Sequence, residues 1–352
     1  MVGATIRSLI TALALGAAYL LFWPVAIEPV AWDAPTAPAL EGDFARNDLL
    51  AAAEFIEIDI GKGPEDIAFG PDGHLYTGLD DGTIVRINLD SGEVVRFAET
   101  GGRPAGMKFA ADGNLIVADV RRGLLSVRAD GGVQVLAGEV AGRPLHFAND
   151  LDIGADNVVY FSESSARLAP GQTSEGLLEH GGDGALHAYD LNSGALTTIL
   201  RGLTYANGVA LNADESAVYV AELAAYRVHR VWLKGEKAGT SEVFLDNLPG
   251  FPDNLNTGSN DTLWVALGIP RVALLDNLAP YPFLRKILAR LPGMSGYGRQ
   301  AIALQFDSDG KVIRNLQDPD PNYPLLTSVF ERDGTLYMGN LFAPGIYRMP
   351  LP

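Results

Sequence analysis

A short pattern recurs six times along this chain of 352 residues and constrains its fold more than any other feature. Each copy has a leading residue, an aspartate seven positions later, and then a strand-forming couplet. The pairs are Glu65 and Asp72, Ala105 and Asp112, Asn149 and Asp156, Asn207 and Asp214, Asn254 and Asp261, and Leu326 and Asp333. Strands and tight turns repeated every ~40–50 residues are typical of a β-propeller. The sequence therefore predicts an all-β fold, a six-bladed β-propeller.

The N-terminus has a different character. Residues 9–27 carry no charge and are rich in Leu and Ala, and a stretch of 19 such residues is long enough to cross a bilayer as a helix. Trp23 lies where an interfacial aromatic is expected. Residues 1–30 are therefore predicted to form a transmembrane or signal-anchor helix. Arg7 precedes the apolar stretch and Glu28 and Asp33 follow it, so the positive-inside rule predicts an extracytoplasmic propeller, periplasmic or lumenal.

A cleaved signal peptide is the alternative for the same segment, because Ala37-Pro38-Ala39 offers small residues for cleavage, and the domain would then be secreted. Residues 31–52, which are proline-rich at their start, are predicted to be a linker, and residues 53–352 the propeller. The chain has no cysteine, so burial and ring closure must stabilise the exported domain.

The charge balance narrows the classes of partner. With 26 basic and 43 acidic residues the net charge is −17, which argues against a nucleic-acid-binding surface. Solubility of an acidic exported protein is a sufficient explanation for the charge as a whole.

Two insertions and one closing strand stand out among the predicted blades. Blade three carries an insertion at residues 164–182, and blade five carries a segment with helical spacing at residues 271–293. That helical segment is either a lid over the channel mouth or a face that touches a membrane. Residues 55–58 are predicted to supply the missing outer strand of blade six and so to close the ring.

The leading positions carry the functional signal. The first strand of each blade lines the central channel, so residues at one phase of successive blades converge on the axis. Oxygen donors at this phase are Glu65, Asn149, Asn207 and Asn254, with Asp253 beside the last. Such a set suits Ca²⁺, whereas the absence of cysteine and of a histidine at this phase disfavours zinc and copper. Any one of these residues alone could instead cap a turn.

Four inner-strand phrases carry a resemblance to a known group of proteins. They are Gly63-Pro64-Glu65-Asp66-Ile67-Ala68-Phe69, Phe147-Ala148-Asn149-Asp150-Leu151, Ala206-Asn207-Gly208-Val209 and Pro252-Asp253-Asn254. They resemble the six-bladed calcium-dependent propellers that comprise gluconolactonases, paraoxonases and strictosidine synthase-like proteins, over about residues 55–350. With its N-terminal anchor, the chain looks most similar to the membrane-anchored strictosidine synthase-like branch that includes adipocyte plasma membrane-associated protein.

The resemblance implies two calcium sites. A catalytic Ca²⁺ would be held at the positions of Glu65, Asn149, Asn207, Asp253 and Asn254, and a second, structural Ca²⁺ at those of Asp66 and Asp150. For the second pair an ordinary turn or cap role stays open. Two family features are missing, because Ala105 stands where paraoxonases have a histidine, and the late catalytic glutamate of the synthase branch has no match.

The function implied is a calcium-dependent hydrolase of lactone or ester substrates, a lactonase or arylesterase in which the metal polarises the carbonyl. Asp253 is the candidate general base by resemblance to the gluconolactonases, and His146 is a second candidate because it lies three residues before Asn149. The alternative is a non-catalytic, membrane-anchored binding propeller stabilised by calcium. Residues 164–182 and 271–298 would set the specificity.

Overall fold

The structure, a computed structural model, describes residues 2–168, 171–291, 300–320 and 325–352. Six four-stranded antiparallel sheets form the body of the molecule, which confirms the predicted six-bladed β-propeller. Helix α1 (Val2–Phe22) precedes them.

The strands follow one another from the channel outward in each blade. Strand β1 (Glu54–Glu57) comes first in the chain. Blade one contains β2 (Ile67–Phe69), β3 (Leu75–Gly78), β4 (Thr83–Ile87) and β5 (Val94–Glu99), and blade two contains β6 (Pro104–Phe109), β7 (Leu115–Asp119), β8 (Gly123–Val127) and β9 (Val133–Ala137). A small hairpin, β10 (Glu139–Val140) and β11 (Arg143–Pro144), leads into blade three.

The remaining blades repeat this order. Blade three contains β12 (Ala148–Ile153), β13 (Val158–Glu163), β14 (Gly184–Asp190) and β15 (Leu196–Leu203), and blade four contains β16 (Ala206–Leu211), β17 (Ala217–Glu222), β18 (Arg227–Trp232) and β19 (Ser241–Leu245). Blade five contains β20 (Gly250–Gly258), β21 (Thr262–Pro270), β22 (Ala301–Phe306) and β23 (Val312–Asp318). Blade six contains β24 (Leu326–Arg332), β25 (Thr335–Asn340) and β26 (Gly345–Pro350).

Strand β1 closes the ring. It pairs antiparallel with β26, with Ile56 opposite Ile346, and so becomes the outer strand of blade six. This confirms the role predicted for residues 55–58. Pairing of the first and last strands of the propeller in one sheet removes the gap at which the ring would otherwise open.

The repeated aspartates act as turn residues in four blades. The Oδ1 atoms of Asp72, Asp112, Asp156 and Asp214 each accept a hydrogen bond from the backbone N–H two positions on, at 2.9–3.1 Å. This Asx-turn geometry fixes the hairpin between the first and second strands. The offset of seven residues in the sequence thus corresponds to the length of an inner strand up to its turn.

The core lies between neighbouring blades. Apolar side chains of blade four and blade five, such as Tyr219 and Leu304, belong to one buried cluster. Trp264 of blade five is fully buried, and its Nε1 donates to Glu331 of blade six at 2.8 Å. Each blade is therefore held by its neighbours, and the ring by its closure.

Three short helices cover one mouth of the channel. They are α2 (Thr173–Glu179) in the insertion of blade three and α3 (Ala273–Leu278) and α4 (Pro282–Leu288) in blade five, and together they are called the cap. Leu177, Leu275 and Leu288 from the three helices join one apolar cluster with Phe147 and Tyr205 of the propeller. The helical spacing predicted in residues 271–293 is confirmed as α3 and α4, and the part of that segment from 292 onward lies outside the described residues.

Helix α1 ends earlier than the apolar stretch of the sequence. Its segment Thr5–Phe22 is apolar enough to cross a membrane and packs against nothing in the structure along most of its length. The helix stops before Pro24, and Ile27 is buried in the cluster under the cap, 1% exposed. Residues 9–27 therefore divide between a helix that is long and apolar enough to cross a membrane and a segment that packs on the propeller.

The predicted linker, residues 31–52, also lies on the propeller. Asn47 accepts a hydrogen bond from the Gln317 backbone at 2.8 Å and donates to the Asn315 carbonyl at 3.1 Å, both on β23. Leu50 is 1% exposed and packs into the cluster between blades five and six.

Ring closure should dominate stability. Ile58, directly after β1, is fully buried in the cluster of blade one. We expect Ile58→Ala to lower the free energy of unfolding by about 2–5 kcal/mol, because it leaves a cavity at the closure. Ile313→Ala, at a position 42% exposed on β23, should change it by less than about 0.5 kcal/mol in the same urea titration. Equal effects of the two substitutions would contradict the closure argument.

The cap should loosen in acid. Burial lowers the pKa of His180 from 6.5 to about 4, and its ring stacks on Trp32 with the centroids 4.0 Å apart. The unfolded chain therefore binds this proton first, and the free energy of unfolding should fall as the pH drops from 6.5 toward 4, by up to about 3 kcal/mol. His180→Phe keeps the stacked ring and should remove this part of the pH dependence in thermal unfolding curves. An unchanged pH profile would show that His180 is not the responsible group.

Candidate metal centre

Bulges in the inner strands aim the candidate ligands into the channel. The pairing register shifts between Ala148 and Leu151, between Ala206 and Val209, and between Pro252 and Leu255. A bulge leaves residues unpaired and turns their side chains away from the regular alternation. The residues inside the three bulges are Asn149 with Asp150, Asn207 with Gly208, and Asp253 with Asn254. Five of the seven predicted ligands thus lie within a bulge, and the other two, Glu65 and Asp66, lie just before β2.

Four of the predicted ligands meet at one cavity. A space of about 400 Å³ under the cap is lined by Glu65, Asn149, Asn207 and Asp253, which come from four different blades. Asn254 is 1% exposed next to this group but does not line the cavity. The structure therefore brings four of the predicted ligands together, although they are up to 188 positions apart in the chain, from 65 to 253.

The amide groups of Asn149 and Asn207 are oriented with their oxygens free. Asn149 donates its amide N–H to Ser164 Oγ at 3.1 Å, and Asn207 hydrogen-bonds the Asp253 carboxylate. The Oδ1 atoms of Asn149, Asn207 and Asn254 are buried and have no partner in the described part of the chain. Leaving a buried acceptor unsatisfied costs about 1–3 kcal/mol, so these oxygens fit the coordination of a cation.

The two carboxylates at the cavity are held in an unfavourable environment. Burial raises the pKa of Glu65, which the Arg103 guanidinium at 3.3 Å partly opposes. Burial raises the pKa of Asp253 well above its usual range, and the charge of Glu65 adds to the rise. A divalent cation would compensate both charges. Among the described residues no group of three His, Cys, Asp or Glu side chains could hold a metal, so a site here depends on carboxylates mixed with amides.

The second predicted pair is better satisfied by the protein itself. The backbone N–H of Met107 donates to Asp66 Oδ2 at 3.2 Å, and that of Val209 donates to Asp150 Oδ2 at 2.7 Å. Burial raises the pKa of Asp66 to about 7 and that of Asp150 well above its usual range. One oxygen, Asp66 Oδ1, is buried without a partner in the described residues. A second Ca²⁺ at this pair stays a prediction.

His146 does not line the cavity. Its backbone N–H donates to Glu163 Oε1 at 3.1 Å, and the next residue, Phe147, has a positive φ of 58°. This left-handed turn places the Phe147 ring at the cavity. Asp253 is therefore the candidate base that the cavity contains.

Several side chains that line the cavity were not predicted from the sequence. Phe147 and Tyr205 pack edge to face with ring centroids 5.5 Å apart, and Tyr205 OH hydrogen-bonds Thr173 of α2 at 2.9 Å. Both aromatics have positive φ and stand two residues before a candidate ligand asparagine. The repeated order aromatic, Ala, Asn was a readable signal. Arg103 and Arg121, which also line the cavity, lie outside the repeated phase and gave none.

Comparison with known proteins identifies the family of this chain. Two family models match the chain, "Strictosidine synthase-like, N-terminal" at residues 42–87 and "Strictosidine synthase" at residues 149–236. Protein STRICTOSIDINE SYNTHASE-LIKE 10 of Arabidopsis thaliana is 34% identical over 333 residues, which cover 85% of this chain and 89% of the relative. This chain belongs to the strictosidine synthase-like family. Adipocyte plasma membrane-associated protein of Bos taurus is 33% identical over 364 residues, covering 96% of this chain and 87% of that protein.

Solved structures share the fold of this strictosidine synthase-like protein. A gluconolactonase from Xanthomonas campestris matches with a TM-score of 0.62 at 18% identity, covering 86% of this chain and 91% of that one. The calcium-binding protein regucalcin of Agrobacterium tumefaciens matches with a TM-score of 0.58 at 16% identity, covering 83% and 90%. At these identities the likeness is one of fold. The expected resemblance to propellers of this group is thus confirmed.

A cation should stabilise the protein through Glu65. We expect Ca²⁺ at about 100 times its dissociation constant to add about 2.7 kcal/mol of stability, seen as a rise in the melting temperature. Glu65→Gln should abolish most of the rise, whereas Glu57→Gln, at an exposed position on β1, should leave it intact. A rise that is the same in Glu65→Gln and Glu57→Gln would place the cation elsewhere.

Proposed function

We propose that this protein is a calcium-dependent hydrolase of lactone or ester substrates. The observation that carries the proposal is a set of buried amide oxygens, without partners in the described part of the chain, beside two buried carboxylates at one cavity. The fold relatives include a gluconolactonase and a calcium-binding regucalcin, which supports the same class of chemistry. The residues that would hold Ca²⁺ are Glu65, Asn149, Asn207, Asp253 and Asn254.

When bound, the metal would supply Lewis-acid polarisation of a carbonyl oxygen. Asp253 would accept a proton from the attacking water, since, of the two candidate-ligand carboxylates at the cavity, it is the one that is not paired with Arg103. The hydrogen bond from Asn207 would fix the orientation of that carboxylate. The water oxygen bonds to the carbonyl carbon, the acyl C–O bond breaks, and the proton passes from Asp253 to the leaving alkoxide. A lactone would give a hydroxy acid and an ester would give an acid and an alcohol.

The cavity walls favour an apolar substrate with one polar group. Most of the lining above the candidate ligands is apolar, formed by Val120, Phe147, Leu177, Tyr205, Leu223 and Ile269. Arg103 and Arg121 add two cationic groups at the same cavity. The apolar walls would hold an acyl or aryl group and exclude bulk water, and the guanidinium groups would attract the carboxylate of the product.

A binding propeller is the second candidate. Ala105, at the position of the paraoxonase histidine, is fully buried in the apolar cluster under the cap and brings no titratable group to the cavity. In that case calcium would tie the blades together and the cavity would bind a ligand without turning it over.

Turnover and its dependence on Asp253 distinguish the two candidates. The full-length protein in detergent should hydrolyse members of a panel of lactones and aryl esters with calcium present and lose this activity on chelation. Asp253→Asn, at saturating calcium, should lower kcat by about 10²–10⁴-fold, because the proton acceptor is gone. Asp309→Asn, at an exposed position, is the matched control and should keep full activity.

Two results would contradict the hydrolase. One is a folded, calcium-bound protein without turnover on the whole panel, which favours the binding propeller. The other is an Asp253→Asn variant that retains activity, which would require a different base.

A further inference from the structure

The end of helix α1 is joined directly to the cap. Arg290, two residues after α4, donates from Nε to the Trp23 carbonyl at 2.6 Å and from Nη1 to the Leu20 carbonyl at 3.0 Å. Tyr19 OH donates in return to the Arg290 carbonyl at 3.1 Å. The last carbonyls of a helix lack partners within the helix, and a guanidinium satisfies them well. Helix α1 and α4 therefore meet without a flexible spacer.

The chain after α1 is built into the cap. Residues 24–37 are called the strap. The Val30 N–H donates to the Glu179 carbonyl at 2.8 Å, and Trp32 stacks on His180 directly after α2. At its far end the Pro35 carbonyl accepts a hydrogen bond from Arg271 at 2.6 Å. The strap thus contacts the propeller along its length instead of separating the two domains.

Arg285 of α4 fastens the strap to the other helices. Its side chain is 2% exposed and donates to backbone carbonyls, those of Leu178 at 2.9 Å and Ala279 at 3.0 Å as well as that of Val30. A buried guanidinium is stable only where such acceptors surround it. The strap, α2 and α4 are therefore one packed unit.

The outer side of α4 is apolar, and none of the described residues covers it. Large apolar side chains around it are between 41% and 56% exposed, namely Tyr281, Phe283, Leu284 and Leu291. Phe22 and Trp23 at the end of α1 are 79% and 60% exposed. The neighbouring basic groups are already engaged, since Lys286 pairs with Glu28 at 2.9 Å and Arg290 binds α1. An exposed apolar surface of this kind marks an interaction site.

The length of α1 sets the level at which this surface lies. A helix of 21 residues is about 32 Å long, close to the ~30 Å hydrocarbon core of a bilayer. Its C-terminal end, with Trp23, would therefore emerge at the lipid headgroups, where aromatic residues are favoured. Because Arg290 binds the carbonyls of Leu20 and Trp23, α4 must lie at the same level.

We propose that the cap lies on the surface of the bilayer that α1 crosses, with the apolar side of α4 inserted among the lipid headgroups, an arrangement that requires α1 to be retained. The occupant of the exposed surface is the bilayer that α1 itself crosses. Cleavage near Ala37-Pro38-Ala39 would remove Ile27 and Trp32 from the packed unit and expose the apolar cluster beneath it.

The docking also bears on the substrate. The apolar cluster is continuous from Phe147 and Leu177 at the cavity to Leu288 of α4 and Ile27 of the strap. The docked cap would hold the cavity close to the bilayer, in which a lipid-soluble ester or lactone is concentrated. This substrate class rests on the proposed function, whereas the docking itself does not.

The absence of native cysteine allows a direct test. Full-length Phe283→Cys, labelled with an environment-sensitive fluorophore and reconstituted in phosphatidylcholine vesicles, should show blue-shifted emission and severalfold quenching by nitroxide-labelled lipid. Ile313→Cys, at a position of similar exposure on β23, is the control and should show neither. Leu13→Cys within α1 reports insertion of the helix.

The docking is overturned if the label at position 283 behaves like that at 313 while the label at 13 is quenched. Retention of α1 is tested by the intact mass of the protein purified from membranes of its own source, which should include residues 2–37. A mature chain that begins after Trp32 would overturn retention. Neither readout depends on calcium or turnover, so loss of the proposed enzymatic function would leave both results standing.

Discussion

The arrangement of this molecule depends on a cluster of oxygen atoms buried at the channel. The amide oxygens of Asn149, Asn207 and Asn254 have no hydrogen-bond partner among the described residues, and Glu65 and Asp253 are buried carboxylates whose pKa values are raised. Such a cluster destabilises a chain unless a cation satisfies it. The bulges aim these side chains into the channel, and the cap covers them. Both features therefore serve one charged site.

Much of this design is readable in the sequence, because a propeller converts phase along the chain into position around an axis. The spacing of seven residues predicted the inner strands and their turns, as at Asn149 and Asp156, where the aspartate caps the hairpin. The same phase brought Glu65, Asn149 and Asn207 to one cavity, whereas in blade five Asp253, the neighbour of the phase residue Asn254, lines it. The closing strand was predicted from the missing fourth strand of blade six, since an open ring would leave β26 unpaired.

The features that the sequence did not reveal depend on backbone twist or on contacts between distant segments. The left-handed φ of Phe147 places the Phe147 ring at the cavity, which His146 does not line. Phenylalanine has no preference for that conformation, so its residue type did not indicate it. Ile27 is apolar enough for the membrane, and only its burial under the cap shows where it packs. Arg103 lies outside the repeated phase, and its contact with Glu65 joins two blades. Helix α1, the cap and the cavity are therefore joined by direct contacts, although the sequence presents them as separate segments.

The most direct measurement is terbium luminescence of the full-length protein, since Tb³⁺ replaces Ca²⁺ at oxygen-rich sites and Tyr205 lines the cavity. The account predicts tyrosine-sensitised Tb³⁺ emission that Ca²⁺ competes away and that falls sharply in Glu65→Gln and in Tyr205→Phe. Emission that calcium does not displace, or that persists unchanged in Glu65→Gln, would contradict a cation site at the centre of the propeller.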